Sequence, residues 1–253
     1  MCASEIGFLR LICWLLPFVF PLGLSVVTLV LAAISIMSIG QLLRKQGPFI
    51  DGMYSADLAL EMIGRTGNIA PIVHAAGHLP LLRNIALDSG FFIPLYVTSF
   101  TIATVLLIGI PFACGPFAFQ PVAALALLLT LIGAFLDWSE NSHLAIALRL
   151  NAQGDAASLA QSQNMLGKGR TRAVIKFIIL GGVAGLLAIH AWLPVAATSL
   201  PEWARYVLGA AFGISALGML ICPIRPRYLE PAVAIAGFGI ALLFTLHAWK
   251  MLP

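Results

Sequence analysis

Apolar residues gather into runs of the length that a bilayer core demands, ~20 residues of helix. Six such runs stand out, at about 21–42, 91–112, 120–140, 173–194, 204–223 and 230–250. A further apolar piece, residues 6–20, is interrupted by Pro17 and followed by Pro21. Proline lacks the N–H that a continuing helix uses, so this piece reads as an interfacial or re-entrant lead-in to the first span. The start of the chain has no basic opening and no clear cleavage site, and its apolar run is too long for a signal core. It reads as a retained anchor.

The connections between the runs differ. Residues 43–90 form the longest polar stretch, and within it "MYSADLALEMIG" sets Tyr54, Leu58, Leu60 and Met62 against Asp57 and Glu61. That pattern predicts an amphipathic helix lying in the membrane interface. "CGPFAFQP" is a short uncharged turn, residues 149–172 read as a polar loop, and 195–203 and 224–229 are short.

Charge gives the runs a direction. The 43–90 stretch holds Arg44, Lys45, Arg65 and Arg83; residues 149–172 hold Arg149, Lys168, Arg170 and Arg172; and 224–229 holds Arg225 and Arg227. The two intervening loops hold none, with Arg205 just past one of them. The alternation predicts six spans with the basic loops cytoplasmic and both termini outside, in the inner (plasma) membrane. Trp192, Trp203 and Trp249 fall at expected outer ends and Trp138 at an expected inner end, where indole rings favour the headgroup layer.

Composition settles the class. The 253 residues are 60% hydrophobic and 9% charged, and the mean hydropathy is +1.00. Soluble domains carry roughly 25% charged residues. The expected fold is all-α, a single polytopic transmembrane bundle spanning residues 1–253. The net charge of +4 comes from short clusters. No extended basic face could hold many phosphates, so nucleic acid is not an expected partner. Cys2, Cys13, Cys114 and Cys222 show no metal-type pairing.

Candidate chemistry starts at "FLDWSEN". Asp137, Glu140 and Asn141 are spaced i, i+3, i+4 and share one helix face. If the third span starts near residue 120, they lie at its cytoplasmic edge, where a charge costs less than at mid-bilayer. Asp88 precedes the second span, and Arg172 and Lys176 open the fourth. The expectation is a charge-paired rim joining Asp137 or Glu140 with Arg172 or Lys176. The plain reading is that such a rim fixes helix packing; the functional reading is a substrate or proton site at the mouth.

"LDSGFFIPLY", "FLDWSEN" and "TRAVIK", in that order over residues 85–180, resemble a family of uncharacterised bacterial multi-pass membrane proteins. In that family an Asp precedes an aromatic-Pro-Tyr helix start, a D-x-x-E-N follows one helix later, and a basic helix start comes next. The resemblance implies Asp88, Pro94, Tyr96, Asp137, Glu140, Asn141 and Lys176 as matching positions. It implies no activity.

The histidines offer weaker chemistry. "HAAGH" places His74 and His78 at i, i+4, which on a helix could grip one metal with help from Asp88 or His143. Pro71, Gly77 and Pro80 work against such a helix. His190 and His247, near outer ends of spans, could ligate a haem only if they faced each other. No cofactor is the expectation. The chain has no phosphate-cradling P-loop and no G-x-S-x-G elbow.

Gly181, Gly182 and Gly185 in the fourth span, and Gly209, Gly213 and Gly218 in the fifth, form small-residue faces. These permit close packing within the bundle or onto a protein subunit or second copy. The functional expectation is a non-enzymatic component that binds lipid or a small molecule, or an accessory subunit of a membrane complex. The alternative is a membrane-embedded hydrolase or transferase acting on lipid. There Asp137 or Glu140 would be the acid/base, and Arg172 or Lys176 would hold an anionic head group.

Overall fold

The computed structural model of the chain describes residues 56–64, 67–108, 121–193 and 200–251. The predicted span at 21–42, the apolar piece at 6–20 and the turn at 113–119 lie outside the described residues.

The described residues are helical. Three short helices come first: α1 (Ala56–Ile63), α2 (Ala70–Ala76) and α3 (His78–Leu87). A π-helical turn, Asp88–Phe92, joins α3 to α4 (Ile93–Leu107). Four long helices follow: α5 (Pro121–Gln153), α6 (Ala156–Trp192), α7 (Glu202–Ile221) and α8 (Leu229–Met251), the last preceded by a 3-10 turn at Pro226–Tyr228. Among the described residues five segments are long and apolar enough to cross a membrane, beginning with the continuous stretch from α3 through α4, His78–Leu107. The protein is thus an all-α, multi-pass membrane bundle. Consecutive helices α5 to α8 pack as neighbours, and α4 lies against α5, α6 and α8.

Two of these helices are longer than the hydrophobic runs predict. α5 has 33 residues and α6 has 37. At 1.5 Å per residue each is about 50 Å long or more, well beyond a hydrocarbon core of ~30 Å. The stretch read as a loop at 149–172 is therefore a helical hairpin projecting past the apolar band, and only Gly154 and Asp155 separate its arms. Gly154 takes φ +78° to reverse the chain. Asp155 caps α6, accepting from the Ser158 N–H at 2.9 Å and from its hydroxyl at 2.6 Å. These bonds hold the exposed Asp155 carboxyl below its ordinary pKa. Ser162 ties the arms together by donating to the Ala147 carbonyl.

The segment read as an interfacial helix is helical, as α1, but it is sunk into the bundle. Ala59, Leu60, Glu61, Met62 and Ile63 are buried in succession. A helix buried all round belongs to a core, not to a surface. It ends at Gly64, φ +69°, where an added Cβ would come within 2.7 Å of Arg170 Cδ. The left-handed turn and the basic side chain laid across it close the helix C-terminus.

The buried residues form two cores. One holds Leu60, Met62, Leu144, Phe177, Leu180, Met219 and Cys222, toward the hairpin end. The other holds Phe100, Ala123, Leu187, Leu208, Phe212 and Phe244, toward the Trp192 end. Close approaches at Gly181, against the Ala216 carbonyl, and at Gly218, against Ala232, bring α6, α7 and α8 together.

Candidate functional site

Lys176 is at the centre of the site. It enters from α6 and is 3% exposed. Its ammonium donates to Glu61 Oε2 at 3.1 Å and to Asp137 Oδ1 at 2.9 Å. Glu140 Oε2 lies 2.8 Å from the same nitrogen, in ion-pair contact. Three carboxylates from two helices thus converge on one ammonium. Glu140 Oε1 is buried and has no hydrogen-bond partner among the described residues.

Helical spacing explains why α5 supplies two of the acids. Asp137 and Glu140 are one turn apart on the buried face, and Asn141 continues it. Glu61 comes from α1, which brings an acid of the 43–90 stretch into the bundle. The exposure of the acidic side chains falls from 11% at Glu61 to 6% at Asp137 and 0% at Glu140. Burial pushes the Glu61 carboxyl up to about 7, against the lowering pull of Lys176 and with an added push from Asp137 and Asp88.

The depth follows from α7. Its 20 residues are about 30 Å of helix, just enough to cross. Met219 and Cys222, at its far end, share a core with Phe177, the neighbour of Lys176. The charge cluster therefore sits level with the edge of the apolar band, one core away from the Trp192 end.

A second polar group adjoins the first. Asn141 donates to Asp88 Oδ2 at 2.6 Å and to Ser89 Oγ at 3.0 Å. Trp138 donates to the Ser89 carbonyl at 2.8 Å. Asp88 and Ser89 open the π-helical turn, whose extra residue per turn re-aims the side chains that follow. Such turns recur at functional sites. Tyr96 follows one turn on, packed by Phe92 and Phe100. Its hydroxyl is buried beside Asp137 and lies within electrostatic reach of Lys176 and Asp88.

The structure thus brings together Asp137, Glu140 and Lys176, with Asp88, Asn141 and Tyr96 alongside. Arg172 goes elsewhere: it donates to Ser139 Oγ at 2.6 Å and to the Lys168 carbonyl at 3.2 Å. One turn of helix separates it from Lys176, and that turn places it outside the cluster. Glu61 was not among the residues expected here. Its signal was a single acid inside "ALEMI", a short apolar piece of the otherwise polar 43–90 stretch.

The histidine set is not assembled. Gly77 at φ +82° breaks the chain between α2 and α3, so His74 and His78 do not share a helix. His74 is exposed, His78 bonds to Asn151 at 3.2 Å, and His143 turns its Nδ1 to the Ser139 carbonyl of its own helix. Among the described residues no three His, Cys, Asp or Glu side chains are grouped to hold a metal. His190 binds the Leu186 carbonyl of its own helix at 2.8 Å. At the Trp192 end, Arg205 closes the α6 C-terminus through the Ala191 and Trp192 carbonyls. That use explains a basic residue beside a loop that holds no other Lys or Arg. No protein-family model, no curated protein and no solved structure matches this chain.

Proposed function

We propose that this protein is a non-enzymatic membrane component. In this reading the carboxylate–lysine cluster takes up and releases protons, and a small molecule or lipid at the hairpin end is bound in step with that exchange. One observation carries the reading: three buried carboxylates meet one ammonium. Three negative charges against one positive leave two in excess when all are ionised. An excess of that size in a desolvated site is costly. Protons relieve it, so occupancy by protons is the natural variable of the cluster.

The enzymatic alternative has less support. Lysine has three N–H donors, and here three carboxylates surround them. Arg172 is directed to Ser139 and Lys168. Neither cation presents itself to an anionic head group.

Infrared titration of the purified protein tests the proposal. Raising the pH through 7 should diminish the carbonyl stretch of protonated carboxyl groups, and Glu61→Gln should remove part of that change. A wild-type band that stays constant across this range would defeat the reading. Lipids or solutes that bind should displace the midpoint.

A further inference from the structure

Proton exchange at a buried cluster needs a way in. We infer that Asp88 is the entry residue, passing protons between water and the Glu61–Lys176–Asp137–Glu140 cluster. This rests on the proton-exchange reading above and adds its route.

The first support is a gradient of exposure. Asp88 is half-buried at the rim, Glu61 is the most exposed acid of the cluster, Asp137 is next, and Glu140 is fully enclosed. Carboxyl groups are therefore stationed in order from surface to interior. The second support is positioning. The π-helical turn and two bonds from Asn141 hold Asp88 and Ser89 against α5. Asn141 shares its helix face with Asp137 and directly follows Glu140. The third is the unpartnered Oε1 of Glu140, an acceptor at the enclosed end of the series.

The groups around Asp88 are defined. Asn141 of α5 donates to it, Glu61 of α1 and Tyr96 of α4 lie within its electrostatic reach, and Asp137 and Lys176 act on the same two groups. In the transfer, an Asp88 carboxylate takes a proton from hydronium, whose O–H bond breaks and which leaves as water. The Asp88 O–H bond then breaks as the proton passes on, directly or through water, and a new O–H bond forms on the Glu61 carboxylate. Asp88 returns to its ionised form, and the cluster gains one positive charge. No electron moves and no other reactant is needed.

The test is a pH jump across 7, with the protonated-carboxyl band followed in time on the full-length protein. Asp88→Asn keeps the shape and an oxygen acceptor for Asn141 but cannot carry the proton. It should slow the approach to equilibrium by about tenfold or more, a modest value for loss of a positioned proton-transfer group, and leave the final amplitude in place. Added formate, a small weak acid, should restore the rate in proportion to its concentration, which a purely structural role for Asp88 would not allow. Should Asp88→Asn fail to fold, Asp88→Ser retains a polar partner for Asn141 and carries the same test. An unchanged rate with a normal amplitude overturns the entry role and leaves the cluster's titration standing. Absence of any titration in the wild type overturns both.

Discussion

Around Phe212 and Phe244 the helices meet through alanines, leucines and rings. Around Lys176 several of the same helices also meet through charge. Polar atoms within the membrane helices include the Thr104 and Ser215 hydroxyls, buried without a partner among the described residues, and Thr130, satisfied by the Ala126 carbonyl of its own helix. Lipid tails are as apolar as leucine, so burial from lipid contributes little there, and close fit is what holds the helices together. In the charged core each member depends on the others, because a charge left alone out of water is costly. The apolar core should tolerate loss by degrees, and the charged core should not.

Lys176→Met is the largest break in this contrast. It strands three carboxylates without their counter-ion, and removing one partner of a buried pair typically costs about 3–5 kcal/mol. The unfolding midpoint in detergent should fall accordingly. Adding Glu61→Gln, Asp137→Asn and Glu140→Gln to the same chain should recover most of the loss, since uncharged neighbours no longer need the ammonium. If Lys176→Met alone is as stable as wild type, the cluster contributes no cohesion and the contrast fails.

Phe212→Ala probes the other core. The ring is fully buried. In a soluble protein such a truncation costs about 3–5 kcal/mol, part of it the lost transfer from water. Without that part, about 2 kcal/mol is expected here, from the cavity and the contacts around it. The loss should be the same above and below pH 7, since the ring is enclosed by apolar residues and the titratable side chain packed against its cluster is Tyr96, which keeps its proton through this range. A marked pH dependence would mean that the two cores are coupled.

These regions were not equally legible from sequence. Hydropathy located the four spans from α4 to α7 and the run that became α8, because each shows lipid an apolar face such as Leu125, Leu128 and Phe135 on α5. It could not show that α5 and α6 continue past the membrane, since a helix surrounded by water on one side carries no long apolar run. Asp137, Glu140 and Lys176 were legible because charges inside apolar runs are conspicuous and their helical spacing is fixed. Glu61 was hidden by the opposite circumstance. In a mixed polar stretch an acid is assigned to water, and only tertiary packing turns α1 inward. The separation of His74 from His78 depended on one residue, Gly77, whose positive φ no periodicity reports.

Gly64→Ala is a smaller, local perturbation of the charged half. The residue adopts φ +69°, a conformation that costs an L side chain roughly 1–2 kcal/mol, and Arg170 must shift to admit the new methyl. About 1 kcal/mol of destabilisation is expected, with faster proteolysis of the 43–66 stretch as α1 undocks more often. An unaltered cleavage rate would show that Gly64 and Arg170 do not hold α1 in place.

Glu61→Gln gives the smallest and most specific effect, a change of slope with pH. Burial pushes the Glu61 carboxyl up to about 7 in the fold, from its ordinary 4.5 when exposed. The folded state therefore binds the proton more tightly than the unfolded state. By linkage, the stability this group contributes is complete below pH 4.5 and declines as the pH rises toward 7, above which it is constant. The glutamine has no such proton. Subtracting the unfolding free energy of Glu61→Gln from that of wild type should give a difference that falls through this interval and is flat on either side. A difference that is flat across this interval and drops only as the pH falls below 4.5 would mean that the Lys176 pairing outweighs burial and holds Glu61 ionised in the fold. That outcome would make α1 a fixed strut of the charged core, bound equally at every physiological pH. The falling difference would make α1 the part of the core whose hold on Lys176 depends on a proton, and so the part through which the charged and apolar halves respond differently to acid.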